Sequence, residues 1–295
     1  MKRKVITLSD TTFVITLPLD WIRKYDIKKG DYIDLSQIND DLLVSVDSIP
    51  LKKNIKIDIS NLTERVIRWQ LSALHKSGYD HIEILYANKD QEKLIYELMK
   101  NLFTGFNILS ETANCLILRS IAKEDKQEFD AALRRAFRIT LLMGNELLDC
   151  FKKREINEHI KEKELINNQL TNFCQRLINK HNYGGNKATF LYAIIWNLEK
   201  VCDNYKYIFD TINTIEDLIE PNILEVFELI NEYLNDYYNL FYEFELTKLN
   251  KISQKQNLIK EKIKNIQKKD EILNHLQVLM TQITDFSASI IALNN

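Results

Sequence analysis

Apolar and polar positions change their period three times along the chain. Over residues 1–50 the pattern is short and partly alternating, and it predicts strands. Val5-Ile6-Thr7-Leu8 and Thr12–Leu17 are two of them, separated by a Ser9-Asp10-Thr11 turn. Pro18–Tyr25 follows as a short helix with Pro in its first turn, and Lys29-Gly30-Asp31 as a turn. Tyr32–Leu35 and Leu42–Val46 are two more strands, joined across Asn39-Asp40-Asp41. Four short strands and a helical turn bury too little surface to be stable alone, so this unit is expected to complete its core by dimerising.

From about 52 to 120, strand and helix alternate. Ile55–Ile59, His81–Leu85, Phe106–Ser110 and Cys115–Ser120 read as strands, Asn61–Lys76 and Asp90–Thr104 as helices ending near Gly78 and Gly105. Beyond Ala122 the period is helical almost throughout. Helices are expected at about 124–153, 155–181 and 187–218, then from Pro221, at 248–267 and at 270–293. Ile223, Phe227, Ile230, Leu234, Tyr237, Phe241 and Phe244 alternate by four and three, the narrow seam of bundle packing. Two successive sets of three helices suggest an internal duplication. The expected fold is therefore α+β and multidomain. A β domain occupies 1–50, a small α/β unit 51–121, and a six-helix bundle 122–295, with repeats at about 122–218 and 219–295.

Composition narrows the function. The chain has 295 residues, 45% hydrophobic and 28% charged, with a formal net charge of −2. Only 6 Gly and 3 Pro occur, which favours long helices. No GxGxxG or GxxxxGK[ST] passes through those glycines, which excludes phosphate-loop nucleotide enzymes. The four cysteines make no CxxC pair, so free thiols in a reducing cytoplasm are expected. The amino terminus does not read as a signal peptide, and no long uncharged apolar run occurs, so no membrane insertion is expected. The five histidines form no HExxH or triad-like spacing and no nucleophile–base set can be drawn, so no enzyme is expected.

Residues 1–30 hold seven Lys/Arg against three Asp, a local excess of positive charge. A solvated face explains such a run, and so does contact with nucleic-acid phosphates. The local motif favours the second. Leu17-Pro18-x-x-Trp21-Ile22-Arg23-Lys24-Tyr25, followed by Ile27-Lys28-Lys29-Gly30-Asp31-Tyr32-Ile33, resembles the swapped-hairpin DNA-binding module of the AbrB/MazE/SpoVT family. The likeness covers about residues 3–47. Leu19 stands where that family often has Lys, and Asp10-Thr11-Thr12 replaces its Gly-containing turn. The resemblance implies a homodimer that binds double-stranded DNA. Arg3, Lys4, Thr12, Arg23 and Lys24, basic or hydroxyl groups near the hairpin turn and short helix, are the expected contacts.

On the third long helix Glu199 and Asp203 are four apart and share a face. Like charges at this spacing cost a helix roughly 0.2–0.5 kcal/mol unless a metal ion or a Lys/Arg sits between them; a solvated acidic face is the plainer reading. Glu199-Lys200-Val201-Cys202-Asp203 resembles the E-R-I-x-D element of PhoU proteins, phosphate-uptake regulators built from two three-helix repeats. Arg134-Arg135-x-Phe137 and Cys174–Lys180 are similar to the archaeal PhoU-like branch, in which a swapped-hairpin module precedes the bundle. The resemblance implies a divalent or iron ion at the bundle, regulation of phosphate uptake, and a phosphate transporter or signalling protein as partner. In the second repeat Asp285 is retained but Thr281 replaces the glutamate, leaving half a site.

The combined expectation is a cytoplasmic, dimeric, DNA-binding regulator of phosphate uptake. A protein-interaction adaptor that docks on a transporter complex is the alternative, and a small-molecule sensing role for 52–120 a third. Residues 207–246 hold ten acids and no Lys/Arg, while 248–269 hold eight Lys and one Glu. Such helices most simply neutralise one another as antiparallel neighbours.

Overall fold

Alternate residues of one strand face the core of the sheet: in Tyr79–Leu85 every second side chain, Asp80, Ile82 and Ile84, is buried. The computed structural model describes residues 2–38, 41–46, 53–122, 124–153, 157–212, 220–267 and 271–295. The expected turn at Asn39-Asp40, Pro50 and the 213–218 end of the third long helix lie outside these. The architecture is mixed α+β and dominated by helix. It divides into two compact units, Met1–Leu51 and Lys52–Asn295.

In the first unit β1 (Ile6–Ser9) and β2 (Thr12–Val14) pair antiparallel, with Ile6 opposite Val14. β2 is shorter than the expected Thr12–Leu17. Pro18, which has no N–H to donate, instead begins the next element and accepts the first helical bond from Ile22. That element is α1 (Leu19–Lys24), followed by Asp26 and Gly30, both at positive φ. β3 (Asp34–Ile38) pairs antiparallel with β4 (Asp41–Ser45), and the two hairpins form separate sheets. The third strand starts at Asp34 rather than Tyr32, because its register opens at Asp34 opposite Ser45. None of the described residues of this unit is buried. Leu8 is 74% exposed and Phe13 65%.

The second unit opens with β5 (Lys53–Asp58), α2 (Glu64–Lys76), β6 (Tyr79–Leu85), α3 (Lys89–Asn101), β7 (Phe106–Thr112) and β8 (Cys115–Ser120). The sheet order is β5-β6-β8-β7, with only β5 and β6 parallel. α2 begins three residues later than the pattern suggests, since Thr63 is still extended. Asn88 caps α3, its Oδ1 accepting from the N–H groups of Asp90 and Gln91. Ile59, Ile67, Leu71, Ile82, Ile84, Ile95, Leu116 and Leu118 form the core between sheet and helices.

The helical part comprises α4 (Lys126–Lys153), α5 (His159–His181), α6 (Ala188–Ile212), α7 (Pro221–Tyr242), α8 (Lys248–Asn265), α9 (Glu271–Thr284) and α10 (Phe286–Leu293). α4, α5 and α6 pack on one another, as do α7, α8 and α9; α4–α7 and α6–α9 contacts join the two sets around one large core. The expected 270–293 helix is interrupted at Asp285, whose N–H still bonds the Thr281 carbonyl, so the axis continues into α10. Lys262 pairs with Glu225, and Lys255 with Glu232 and Asp236, which makes α7 and α8 the antiparallel, mutually neutralising neighbours that their charges imply.

One stretch departs from the sequence reading. Glu271–Leu293 is long and apolar enough, by length and composition, to cross a membrane, although it contains no uncharged run of that length. Its apolar content serves the bundle: Ile272, Leu273, Leu276, Leu279, Ile283, Phe286 and Ile290 are core residues.

Candidate functional site

The five candidate DNA contacts are exposed on the first unit, but the chain does not gather them at one point. Arg3 and Lys4 precede β1 at the open end of the hairpin, whereas Thr12 stands opposite Ser9 at its turn end. Ser9 is five steps of extended chain from Lys4, roughly 16 Å at about 3.3 Å per residue. Arg23 and Lys24 occupy the last turn of α1, where a cation complements the helix carbonyl end. The Lys24 ammonium also lies 5.2 Å from the centre of the Tyr25 ring. Both therefore have a local structural role as well as an exposed charge. Over Met1–Leu51 the seven Lys/Arg face eight Asp, so the positive charge belongs to the β1–β2–α1 half and the β3–β4 half offsets it.

The carboxylate pair on α6 is surrounded by lysines. Lys200 Nζ lies 3.1 Å and Lys206 Nζ 3.8 Å from Asp203, and Lys76 Nζ, from α2, lies 3.8 Å from Glu199 Oε2. Lys206 also holds Glu164 of α5 at 2.8 Å. Burial raises the Glu199 carboxyl above its ordinary range, while Lys76 and Lys200 oppose that shift; its Oε2 is buried and makes no hydrogen bond. Among the described residues no three His, Cys, Asp or Glu side chains converge on a point. The pair fits lysine counter-ions, which supply the positive charge its spacing requires, and does not fit a metal ion held by these two carboxylates. Asp285 is an exposed residue between α9 and α10, apart from that cluster.

The densest charge cluster lies where the sheet meets the bundle; the Cys174–Lys180 resemblance contains its arginine and lysine but gives no sign that they meet Asp80 and Glu124. Arg176, 1% exposed at its side chain, bonds Asp80 Oδ1 (2.6 Å) and Glu124 Oε1 (2.9 Å). Its Nη1 donates to the carbonyls of His75 (3.1 Å) and Tyr79 (2.7 Å), closing the α2–β6 turn. Lys180 bridges the same two acids at 2.5 and 2.6 Å, and His181 Nε2 lies 2.9 Å from Glu124. Burial alone would raise the Glu124 carboxyl; His181, Arg176 and Lys180 together hold it well below the carboxylate range. His75 is buried and stacked on Phe103 at 4.9 Å. Burial, then the nearby charges of Arg176 and Lys76, lower its pKa to about 3. Every acid here has a cation, so the cluster acts as a clamp between sheet and helices. The only sequence signal for it is an arginine and a lysine four apart on the side of α5 away from the bundle core.

No family model matches this chain, and neither does any curated protein or solved structure.

Proposed function

We propose that this protein is a dimeric DNA-binding transcriptional regulator of phosphate uptake, PhoU-like in its helical body, with the amino-terminal unit as an AbrB-type swapped-hairpin module. The observation that carries the reading is the missing core of that unit. Two unconnected hairpins expose Leu8, Phe13, Leu35 and Leu42, and none of its described residues is buried. Apolar strand residues of this kind are stable only when covered, and a second copy supplies the matching surface. The exposed cations Arg3 and Lys4, which precede β1, and Arg23 and Lys24 of α1 then occur twice, on either side of a two-fold axis, as duplex half-sites require. The body transmits the state of a partner protein to this module; the lysine-paired Glu199 and Asp203 argue against a metal as its signal.

The charge balance of the whole unit favours one rival, an adaptor whose module only dimerises. A salt titration of DNA binding separates them. The regulator binds genomic promoter fragments with an affinity that falls as salt rises, and Arg23→Ala with Lys24→Ala flattens that dependence. Absence of binding by the wild-type chain at low salt leaves the adaptor.

A further inference from the structure

We propose that the outer face of α4 is an isologous contact between two copies of this chain, an antiparallel α4–α4 pair whose two-fold axis passes Leu142. Ala131, Arg135, Arg138, Leu142, Asn145 and Asp149 follow one another at spacings of four and three, and all are exposed. They form a single stripe on the side of α4 away from the core. Leu142, its one large apolar member, is 52% exposed. Charge is ordered along this face. Arg134, Arg135 and Arg138 crowd the part before Leu142, like charges three and four apart that repel one another. Among the described residues none of the three is ion-paired; Arg134 lies 3.9 Å from the centre of the Tyr242 ring on α7 instead. The part beyond Leu142 is acidic. Glu146 and Asp149 belong to α4, and beside them Glu228 and Glu232 of α7 line, with Leu141 and Asn145, a groove of about 380 Å³.

That order selects the partner. In an antiparallel pair about Leu142, each residue before it lies beside the residue equally far after it in the second copy. Arg135 is seven before and Asp149 seven after, each roughly 10 Å from Leu142 at about 1.5 Å per residue. Asp149 has no ion pair of its own among the described residues. Arg138 is four before and Glu146 four after. Glu146 meets Lys163 and Asn157 through Oε2, which leaves Oε1 to accept. Arg134, on the α7 side, has its counterpart in Glu228, since α7 runs antiparallel with Tyr242 at Arg134 and Glu228 at Lys152. The other charges of this face fit the same arrangement. Lys152 pairs with Glu228 at 3.5 Å, Glu232 with Lys255, and Asp130 accepts from the Tyr183 hydroxyl. Glu128 and Lys153, at opposite ends of α4, come together. A nucleic acid, an acidic peptide or an anionic membrane would meet the arginines but set its charge against Glu146, Asp149, Glu228 and Glu232. A basic partner meets the reverse. A second copy reads the same order backwards, so each sign meets its opposite and Leu142 meets Leu142, the self-complementarity that a two-fold contact requires. The inference rests on the proposed amino-terminal pairing in one respect, that tethered copies need little affinity of their own here.

Cross-linking of the full chain tests it. Leu142→Cys places one thiol of each copy at the axis, within disulfide reach, and its dimer yield under mild oxidation is read against the wild-type chain, whose own cysteines set the background. The variant is expected to cross-link about tenfold faster than wild type, because the contact holds the two thiols at high effective concentration. Arg135→Asp or Asp149→Arg added to it should each slow cross-linking about tenfold, and both together should restore it, since the pair is then rebuilt with its signs exchanged. Circular dichroism checks that each variant is folded. Sedimentation of the same variants without oxidant reads the amino-terminal pairing, whose residues they leave unchanged. Dimers that persist while Leu142→Cys shows no cross-link above background overturn the α4 contact and leave the first pairing standing. A cross-link that neither reversal weakens, or that the double reversal fails to restore, overturns it as well. Monomers in sedimentation whose cross-link keeps its charge dependence support the α4 contact and remove the amino-terminal pairing.

Discussion

Arg176 Nη2 lies 2.6 Å from Asp80 Oδ1, across 96 positions of sequence, and this bond ties α5 of the bundle to β6 of the sheet. Both side chains are nearly inaccessible, and the same guanidinium bonds Glu124 and two carbonyls at the α2–β6 turn. Removing one member of such a set strands buried charge. Arg176→Met is therefore expected to destabilise the chain by about 3–5 kcal/mol, read from chemical denaturation. A loss near zero would mean that Lys180 alone holds both acids.

His75 and Glu124 give stability the same dependence on pH. His75 has a folded pKa of about 3, below its ordinary 6.5, so between those values the unfolded chain binds the proton and the folded chain does not. Its contribution is complete above pH 6.5 and is lost as the pH falls, with a slope of about 1.4 kcal/mol per unit. Glu124, also depressed, loses its contribution as the pH falls below the ordinary carboxylate range. Unfolding free energy measured from pH 7 to 4 should thus decline, and His75→Phe should flatten the part between 6.5 and 5. An unchanged slope in that variant would assign the acid sensitivity to other groups.

Gly144 lies where α4, α6 and α7 meet. A Cβ there would stand 2.7 Å from the Tyr205 hydroxyl and 2.8 Å from Asn231 Oδ1. Those groups are fixed, because the Tyr205 hydroxyl donates to Asn231 Oδ1 at 2.7 Å and Asn231 Nδ2 to the Gly144 carbonyl at 2.8 Å. Gly144→Ala is expected to cost roughly 1–3 kcal/mol through overpacking, against the gain in helix propensity that alanine normally brings. Thermal melting decides the sign.

The α7–α8 ion pairs predict a contrasting result. Lys255 and Lys262 meet Glu232, Asp236 and Glu225 at partly exposed positions. Lys262→Ala should change stability by less than about 1 kcal/mol, with the difference shrinking further at high salt. A loss comparable to that of Arg176→Met would show that this pair is far less solvated than its exposure implies.

How much of this was readable beforehand depends on the range of the interaction. Cys115–Ser120 begins and ends where its alternation does, and acidic α7 and basic α8 face each other, because period and charge are local properties that survive in any packing. That none of the described residues of 1–51 is buried is equally a matter of local arithmetic, too few apolar side chains on strands too short to cover them. Tertiary structure alone decided what surrounds Glu199, since the nearest cation from outside its own helix, Lys76, is 123 residues earlier on α2. It also decided that Arg176, a common type on a helix surface, is the buried junction of sheet and bundle, and that His75 is neutral beside it. The physical reason is the same in both cases. A side chain's ionisation and its partners are set by desolvation and by neighbours brought from distant segments, and neither leaves a period in the chain that carries it.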